Sequence, residues 1–398
     1  MTPFLKNTFY ILAFSIPKQA AYPMQKKPLT PVYRRRKRLA LLLPGHNEEL
    51  ILAATIKSAY RAGQKLQDIY VVDDNSSDDT RQVALSMLPA SNVLTVSRSG
   101  KAGAVMKAIE HFRLAQDYTW LHVADADSIF GSDYFRIYRD QLIAHKYVAA
   151  VGFVQSMRGN WISWYRALNY TYGQHIFRRV QGWFNMISVL PGPVTCFRTD
   201  IIKHLDFQAE SLTEDFDLTL QIHRKRLGRI RFIPEAINFT QDPKTLQDFC
   251  KQTARWQRGF FQGLRRHRIG RRFQRIDVSI AYQLLETVLY LVQLGIVVPY
   301  FVFIRDRPQY IQLLLIGDAA VLCLLAGLSA IAARRLSILY ALPYYYPMRM
   351  LELVIFLKAF GEVIVLGRFK QRSARGWQTE GRRYKLDEKA LKDVEVEL

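Results

Sequence analysis

The sequence predicts an α/β domain built on a parallel sheet with crossover helices, followed by a C-terminal region of transmembrane and interfacial helices. Three observations carry this reading. From Leu39 to about Phe232, short apolar runs alternate with longer amphipathic ones, the pattern of strands joined by helices. Past Arg275 charge nearly vanishes: Ser279 to Ile304 carries only Glu286, and Tyr310 to Ala333 only Asp318. Carboxylates gather where apolar runs stop, and ligands of α/β sheets collect outside the carboxyl ends of strands.

With 398 residues, the chain is too long for one small core and suits a large domain plus a further region. Its 56 Lys and Arg against 34 Asp and Glu give a formal charge of +22, which implies a partner carrying phosphate or an anionic lipid surface. The cations cluster at Arg34 to Arg38, Arg265 to Arg275 and Arg368 to Lys385, and the last two clusters flank the most apolar part of the chain. That arrangement favours a membrane edge over a nucleic-acid groove, so nucleic acid is not expected as a partner. A membrane-anchored nucleic-acid-binding or scaffold protein is the alternative of another class. It predicts binding that weakens steeply with salt and is indifferent to loss of Asp127. Cys196, Cys250 and Cys323 are widely spaced, which argues against a disulfide framework and fits a reducing compartment.

Residues 1–38 form a basic N-terminal segment. Its apolar stretch Phe9 to Ile16 is far shorter than the roughly 20 residues a span needs, and reads as an interfacial helix or the remains of a targeting segment. The run Arg34 to Arg38 either sits against lipid headgroups or is a solvated linker. Residues 39–275 form the α/β domain, with strands at Leu39–Leu43, Ile69–Asp73, Val93–Val96, Trp120–Ala124 and Val148–Val154 and helices in the intervals.

Residues 276–367 form the transmembrane and interfacial part. Ser279 to Ile304 gives about 39 Å of helix at ~1.5 Å per residue, enough to span, and the short link to Tyr310–Ala333 suggests an antiparallel hairpin. Buried core helices of a soluble protein are the alternative. Leu339 to Gly367 is interrupted by Pro343 and Pro347, and Arg349, Glu352, Lys358 and Glu362 are costly in lipid, so it reads as a bent span or an interfacial helix. Residues 368–398 are a basic then acidic tail. If the positive-inside tendency places tail and catalytic domain together in the cytoplasm, an even number of crossings separates them.

The motifs follow in order. In LLLPGHNEE, Leu41 to Glu49, Pro44 and Gly45 stop a strand and leave backbone N–H groups for a nucleotide. VVDDNSSDDT, Val71 to Thr80, ends the next strand; Asp73 or Asp74 accepts from a uracil N–H or ribose hydroxyls, or makes an ordinary Asx turn. In SGKAGAVMKAI, Ser99 to Ile109, Lys101 beside two glycines is a compact cation for phosphate or base, or a solvated turn residue. TWLHVADADS, Thr119 to Ser128, ends in Asp125 and Asp127 on the same side of an extended backbone. Two close hard oxygens repel when empty, a cost that Mg²⁺ or Mn²⁺ relieves while bridging to phosphates; the alternative is that Asp127 caps the next helix. LTEDFD, Leu212 to Asp217, crowds Glu214, Asp215 and Asp217 at a helix start, which should raise one carboxyl pKa and suits a general base. In QTARWQRG, Gln252 to Gly259, Arg255 suits a pyrophosphate leaving group and Trp256 a sugar face.

The order of these motifs, ending in apolar helices, closely resembles the membrane-integrated processive family 2 glycosyltransferases, the group of poly-N-acetylglucosamine, hyaluronan, chitin and cellulose synthases. The resemblance covers roughly residues 39 to 385. Asn160 to Arg198, ending LPGPVTCFR, looks most like the poly-N-acetylglucosamine synthases. It implies a nucleotide-diphospho-sugar transferase domain of GT-A type and an inverting enzyme in the cell (inner) membrane, multi-pass, catalytic domain cytoplasmic. It implies a UDP-sugar donor, a divalent cation (Mg²⁺ or Mn²⁺), a polysaccharide acceptor (a glycolipid acceptor for the non-processive alternative), membrane lipid around it, and a partner subunit or homo-oligomer to complete a transport path. By the same resemblance Asp73 and Asp74 bind uridine, Lys101 the nucleotide, Asp125 the ribose or diphosphate with a share in the metal, and Asp127 the metal. Asp215, beside Glu214, is the base, and Gln252, Arg255 and Trp256 hold pyrophosphate and acceptor. The chain departs from the pattern at His46 and at Met106, where relatives carry other residues.

Overall fold

The structure, a computed structural model, describes residues 39–142, 147–207, 211–271, 273–304 and 308–368. Phe9 to Ile16, Arg34 to Arg38 and the tail beyond Arg368 lie outside the described residues.

Strand β1 (Leu39–Gly45) is buried along its whole length. Its alternation feeds two cores: Ala40 and Leu42 pack on one face, Leu39, Leu41 and Leu43 on the other. It pairs in parallel with β2 (Ile69–Asp73) and with β4 (Trp120–Val123), and β2 pairs in parallel with β3 (Val93–Thr95). All five strands expected from the sequence are present, the fifth being β6 (Tyr147–Ser156). Three more join them: β5 (Ile129–Phe130), β7 (Thr195–Arg198) and β8 (Arg229–Thr240), in the order β3-β2-β1-β4-β7-β6-β8-β5.

The sheet is therefore mixed, not parallel as expected: β7 runs antiparallel to both β4 and β6, and β5 antiparallel to β8. The cause lies in the connection between β6 and β7. It leaves and returns at the same edge of the sheet, instead of crossing back as a parallel unit must. That detour consists mainly of α5 and its extension, and it sits where the parallel strands end.

The longer helices are α1 (Leu52–Arg61), α2 (Thr80–Met87), α3 (Gly100–His111), α4 (Tyr134–Gln141), α5 (Trp161–Tyr172), α6 (Glu214–Arg224) and α7 (Leu246–Arg266). Asn160 caps α5 by accepting from the N–H groups of Ile162 and Ser163, at 3.1 and 3.4 Å. A π-helical turn, Gly173–Arg178, carries α5 on into Arg179–Trp183.

Beyond the sheet lie α8 (Arg275–Val292), prolonged by π-helical turns, α9 (Pro308–Ala332) and α10 (Leu342–Phe360). Arg275–Phe303 and Gln309–Ala332 are long and apolar enough to cross a membrane. Of their most apolar stretches, 0% of the first and 22% of the second is buried, so neither is a core helix of the domain. The third region is a helix docked on α7: Phe356 meets Phe261 at a tilt and Phe360 meets it edge-on, with centroids 4.9 and 5.5 Å away. Charges that weigh against lipid have protein partners there: Glu362 pairs with Arg258 at 2.6 Å, Arg349 with Glu286 at 3.3 Å, and Glu352 accepts from the Tyr165 hydroxyl at 2.9 Å.

Candidate active site

Strands β1, β4, β6 and β8 run in one direction and deliver their carboxyl ends to one edge, where a cavity of about 970 Å³ opens. β4 stops at Val123, and the Asp125 carbonyl accepts the Ser128 N–H at 3.1 Å, so the two aspartates sit on a tight turn rather than an extended strand. The Thr55 hydroxyl pins that turn through the Ala126 carbonyl at 2.7 Å. Asp125 and Asp127 both line the cavity. Because β5 intervenes before α4, Asp127 caps no helix.

Lys101, on α3, places its Nζ 2.5 Å from Asp125 Oδ1 and 3.3 Å from Glu214 Oε1. Burial alone would lower its ammonium pKa, but Asp125, Glu214 and Asp215 outweigh that and hold it above the ordinary lysine value. A Cβ on Gly192 would lie 2.7 Å from Lys101 Nζ and 3.1 Å from each Asp125 oxygen, so the Pro191–Pro193 segment lies close over this ion pair, and a side chain there would push Lys101 aside.

Glu214 and Asp215 open α6 and line the same cavity. The Asp215 carboxyl is pushed up to about 6, first by burial and then by Glu214, against the opposite pull of Lys101 and Arg255. Charge crowding is thus the second cause and desolvation the first. Asp217 is turned elsewhere: its carboxylate meets His267 Nε2 and the Gln221 amide at 2.8 Å each. Burial would raise it, but those hydrogen bonds and Arg266 hold it below the usual carboxylate range.

Gln252, Arg255 and Trp256 project from α7 into the cavity, and Arg255 Nη1 donates to the Leu212 carbonyl at 3.2 Å. Helix α7 reaches α6 because residue 259 is glycine; a Cβ there would lie 2.3 Å from Thr213 Oγ1.

Asp73 and Asp74 are not brought to the cavity wall. Asp73 accepts the Ser76 N–H at 3.0 Å, an Asx turn, and Asp74 accepts the Ser99 and Gly100 N–H groups at 2.7 and 2.8 Å. Asp74 thereby orders the start of α3, and it is Ser99 and Gly100 that line the cavity. Met106 packs against the main core.

Residues 37–259, more than half of the chain, match the family described as glycosyltransferase-like family 2. The chain belongs to that family. The transferase is 27% identical over 235 residues to a probable glycosyltransferase, YdaM, of Bacillus subtilis, covering 56% of this chain and 55% of that protein. It is 22% identical over 271 residues to the poly-β-1,6-N-acetyl-D-glucosamine synthase of Staphylococcus aureus, covering 65% of this chain and 63% of the synthase. The match thus spans between about half and two thirds of the length of these curated relatives. Among solved structures it resembles the mannosyltransferase PcManGT from Pyrobaculum calidifontis in complex with GDP-Man and Mn²⁺, at a TM-score of 0.50 and 16% identity over 90% of this chain and 94% of that one. The fold is accordingly the GT-A-like mixed α/β fold of nucleotide-sugar transferases.

The donor set at the turn fits a divalent cation. Asp125 and Asp127 are hard oxygens facing one cavity, and such a cation is commonly held by one or two carboxylates plus substrate phosphates and water. Asp125 is shared with Lys101, whose Nζ lies 2.5 Å from its Oδ1. No cluster of three His, Cys, Asp or Glu poised for a metal occurs among the described residues.

Residues that sequence reasoning missed also stand at or behind the cavity. Gln241 and Asp242 reach the cavity from the end of β8, a strand not anticipated. Arg178 lines it from the π-helical turn. Arg166, only 4% exposed, lies behind the α7 motif. Its Nη2 donates to Gln252 Oε1 at 2.9 Å, and its guanidinium lies 4.5 Å from the Trp256 ring centroid and 4.6 Å from that of Phe249. A lone arginine inside an aromatic helix gives no signal in sequence; it becomes legible only when α5 meets α7.

Proposed function

We propose that this transferase is an inverting membrane enzyme that moves a hexose, N-acetylglucosamine or glucose, from a UDP-sugar to the end of a growing β-linked polysaccharide. The observation that carries the reading is the meeting in one cavity of the Asp125–Asp127 turn, Lys101, the raised carboxyl of Asp215, and the Gln252, Arg255 and Trp256 face of α7. The relative that makes poly-β-1,6-N-acetyl-D-glucosamine supports the choice of sugar.

In this reading the loop at Ser99 and Gly100, ordered by Asp74, receives the uridine, and Asp125 meets the ribose or diphosphate. Asp127 and Asp125 would hold Mg²⁺ or Mn²⁺, which would supply neutralising charge to the leaving diphosphate. Lys101 and Arg255 add fixed positive charge to the same region. Asp215 takes the proton of the acceptor hydroxyl as its oxygen attacks the anomeric carbon from the face opposite UDP. The bond from that carbon to the diphosphate oxygen breaks, UDP leaves with its electron pair, and configuration inverts in a single displacement. Trp256 offers its ring to the acceptor sugar and Gln252 fixes the approach.

The two exposed apolar helices support a place in the cell membrane, and the basic clusters flanking the apolar region support a cytoplasmic catalytic domain. Two such helices make a thin path for a polymer, so a partner subunit or a second copy completes it. A second reading, transfer of one sugar to a lipid acceptor, is favoured by the cavity wall itself, which continues along α8 through Tyr282, Glu286 and Thr287. Purified protein in nanodiscs, offered labelled UDP-sugars with Mg²⁺ or Mn²⁺, separates the two by product size. Long polymer supports the first reading, a single-sugar glycolipid supports the second, and no turnover with any UDP-sugar contradicts both.

A further inference from the structure

Away from the catalytic cavity, a second concavity of about 640 Å³ lies at the foot of α8, lined by Arg224, Arg226, Arg266, His267, Arg268 and Phe273. The sequence places Arg265 to Arg275 together; the fold adds Arg224 and Arg226 from the end of α6. Two carboxylates offset part of this charge. Asp277 takes both Arg224 amino groups, at 2.7 and 2.9 Å, and Asp217 takes His267 at 2.8 Å and Arg266 at 3.4 Å. Arg226 and Arg268 are exposed, and no carboxylate among the described residues pairs with either.

Both arginines also stand at backbone positions that favour glycine. Each follows the end of a helix, α6 or α7, with φ of 52° and 49°. At two separate turns rimming one pocket, an arginine occupies the left-handed position. The surroundings are apolar on the other side: Phe273 is 80% exposed, and α8 begins at Arg275 with Val278, Tyr282 and Leu285 exposed along it.

We propose that this pocket seats the phosphate of an anionic phospholipid, with Arg226 and Arg268 binding its oxygens and the acyl chains following Phe273 and the exposed face of α8. Cations beside an exposed ring and an apolar helix match a headgroup with its tails, whereas a soluble phosphate uses only the cations. The inference rests on the membrane reading of α8 and is independent of the sugar donor.

The test is native mass spectrometry of the full chain in detergent, titrated with phosphatidylglycerol or phosphatidylcholine, with inorganic phosphate as competitor. The decisive variant joins Arg226→Gly and Arg268→Gly. Glycine suits both left-handed positions, so lost binding is not lost fold. The wild type should retain phosphatidylglycerol over phosphatidylcholine, and the double variant should bind it about 30-fold more weakly, from the usual increment of a basic residue near a lipid surface. Lysine at both positions should restore most of the difference. Equal retention of the two lipids, or an unchanged double variant, overturns the site while leaving the membrane reading intact. Displacement of the lipid by inorganic phosphate assigns the pocket to a soluble ligand and overturns the proposal, and a wild type that retains neither lipid overturns the membrane reading as well.

Discussion

At the scale of the residue, the proposed base role of Asp215 fixes how transfer should depend on pH. A general base works deprotonated, and burial plus Glu214 push its carboxyl up to about 6. Transfer should therefore rise as pH climbs through about 6 and level off above it. Glu214 raises that value and Lys101 lowers it, so Glu214→Gln should move the acid limb of the pH–rate profile down and Lys101→Met should move it up. Limbs that stay in place would separate Asp215 from the titrating group. Arg166 holds Gln252 by a hydrogen bond and faces the Trp256 ring, so in the proposed mechanism it is a positioning residue. Arg166→Met keeps the bulk but loses the charge-assisted hydrogen bond to Gln252, and kcat should fall about tenfold or more with KM for the donor unchanged. Arg166→Lys should recover part of it, and steady-state kinetics over both substrates reads the split. The motif carboxylates were legible in sequence because charge at the end of an apolar run is locally anomalous. Asp73 and Asp74 illustrate the limit: sequence marks the cluster but not which backbone N–H groups its carboxylates accept from, such as that of Gly100 on Asp74.

At the scale of the element, the site depends on α7 lying against the start of α6. Gly259→Ala would drive a methyl to 2.3 Å from Thr213 Oγ1, and overpacking of this kind costs about 1–3 kcal/mol. The midpoint of thermal unfolding should fall and transfer should weaken with it, and Thr213→Ala in the same chain should restore part of both. Strands β1 and β6 were legible because the sheet buries both faces and their runs are almost wholly apolar. β7 was not, being four residues long, nor β8, where arginines alternate with apolar residues and Pro234 interrupts the run. The antiparallel turn of β7 depends on where the α5 excursion returns, which no local pattern encodes.

At the scale of the whole molecule, net charge and two exposed apolar helices both fit the proposed placement of a basic catalytic domain at a lipid surface. The chain should stay with the membrane fraction through high-salt and alkaline carbonate washes; release by salt alone would reduce the attachment to surface charge. The apolar helices were legible from composition, whereas the docking of α10 on α7 was not, because its charges are costly in lipid only until partners such as Arg258 are in place. The central claim is that sugar transfer takes place between the Asp125–Asp127 turn and Asp215. The most direct measurement compares the wild type with Asp215→Asn for UDP binding and for sugar transfer from a labelled UDP-sugar in the presence of Mg²⁺ or Mn²⁺. The account predicts UDP binding within about twofold of the wild type and transfer reduced by at least about a hundredfold, the scale of a lost general base. Transfer retained by Asp215→Asn would contradict it.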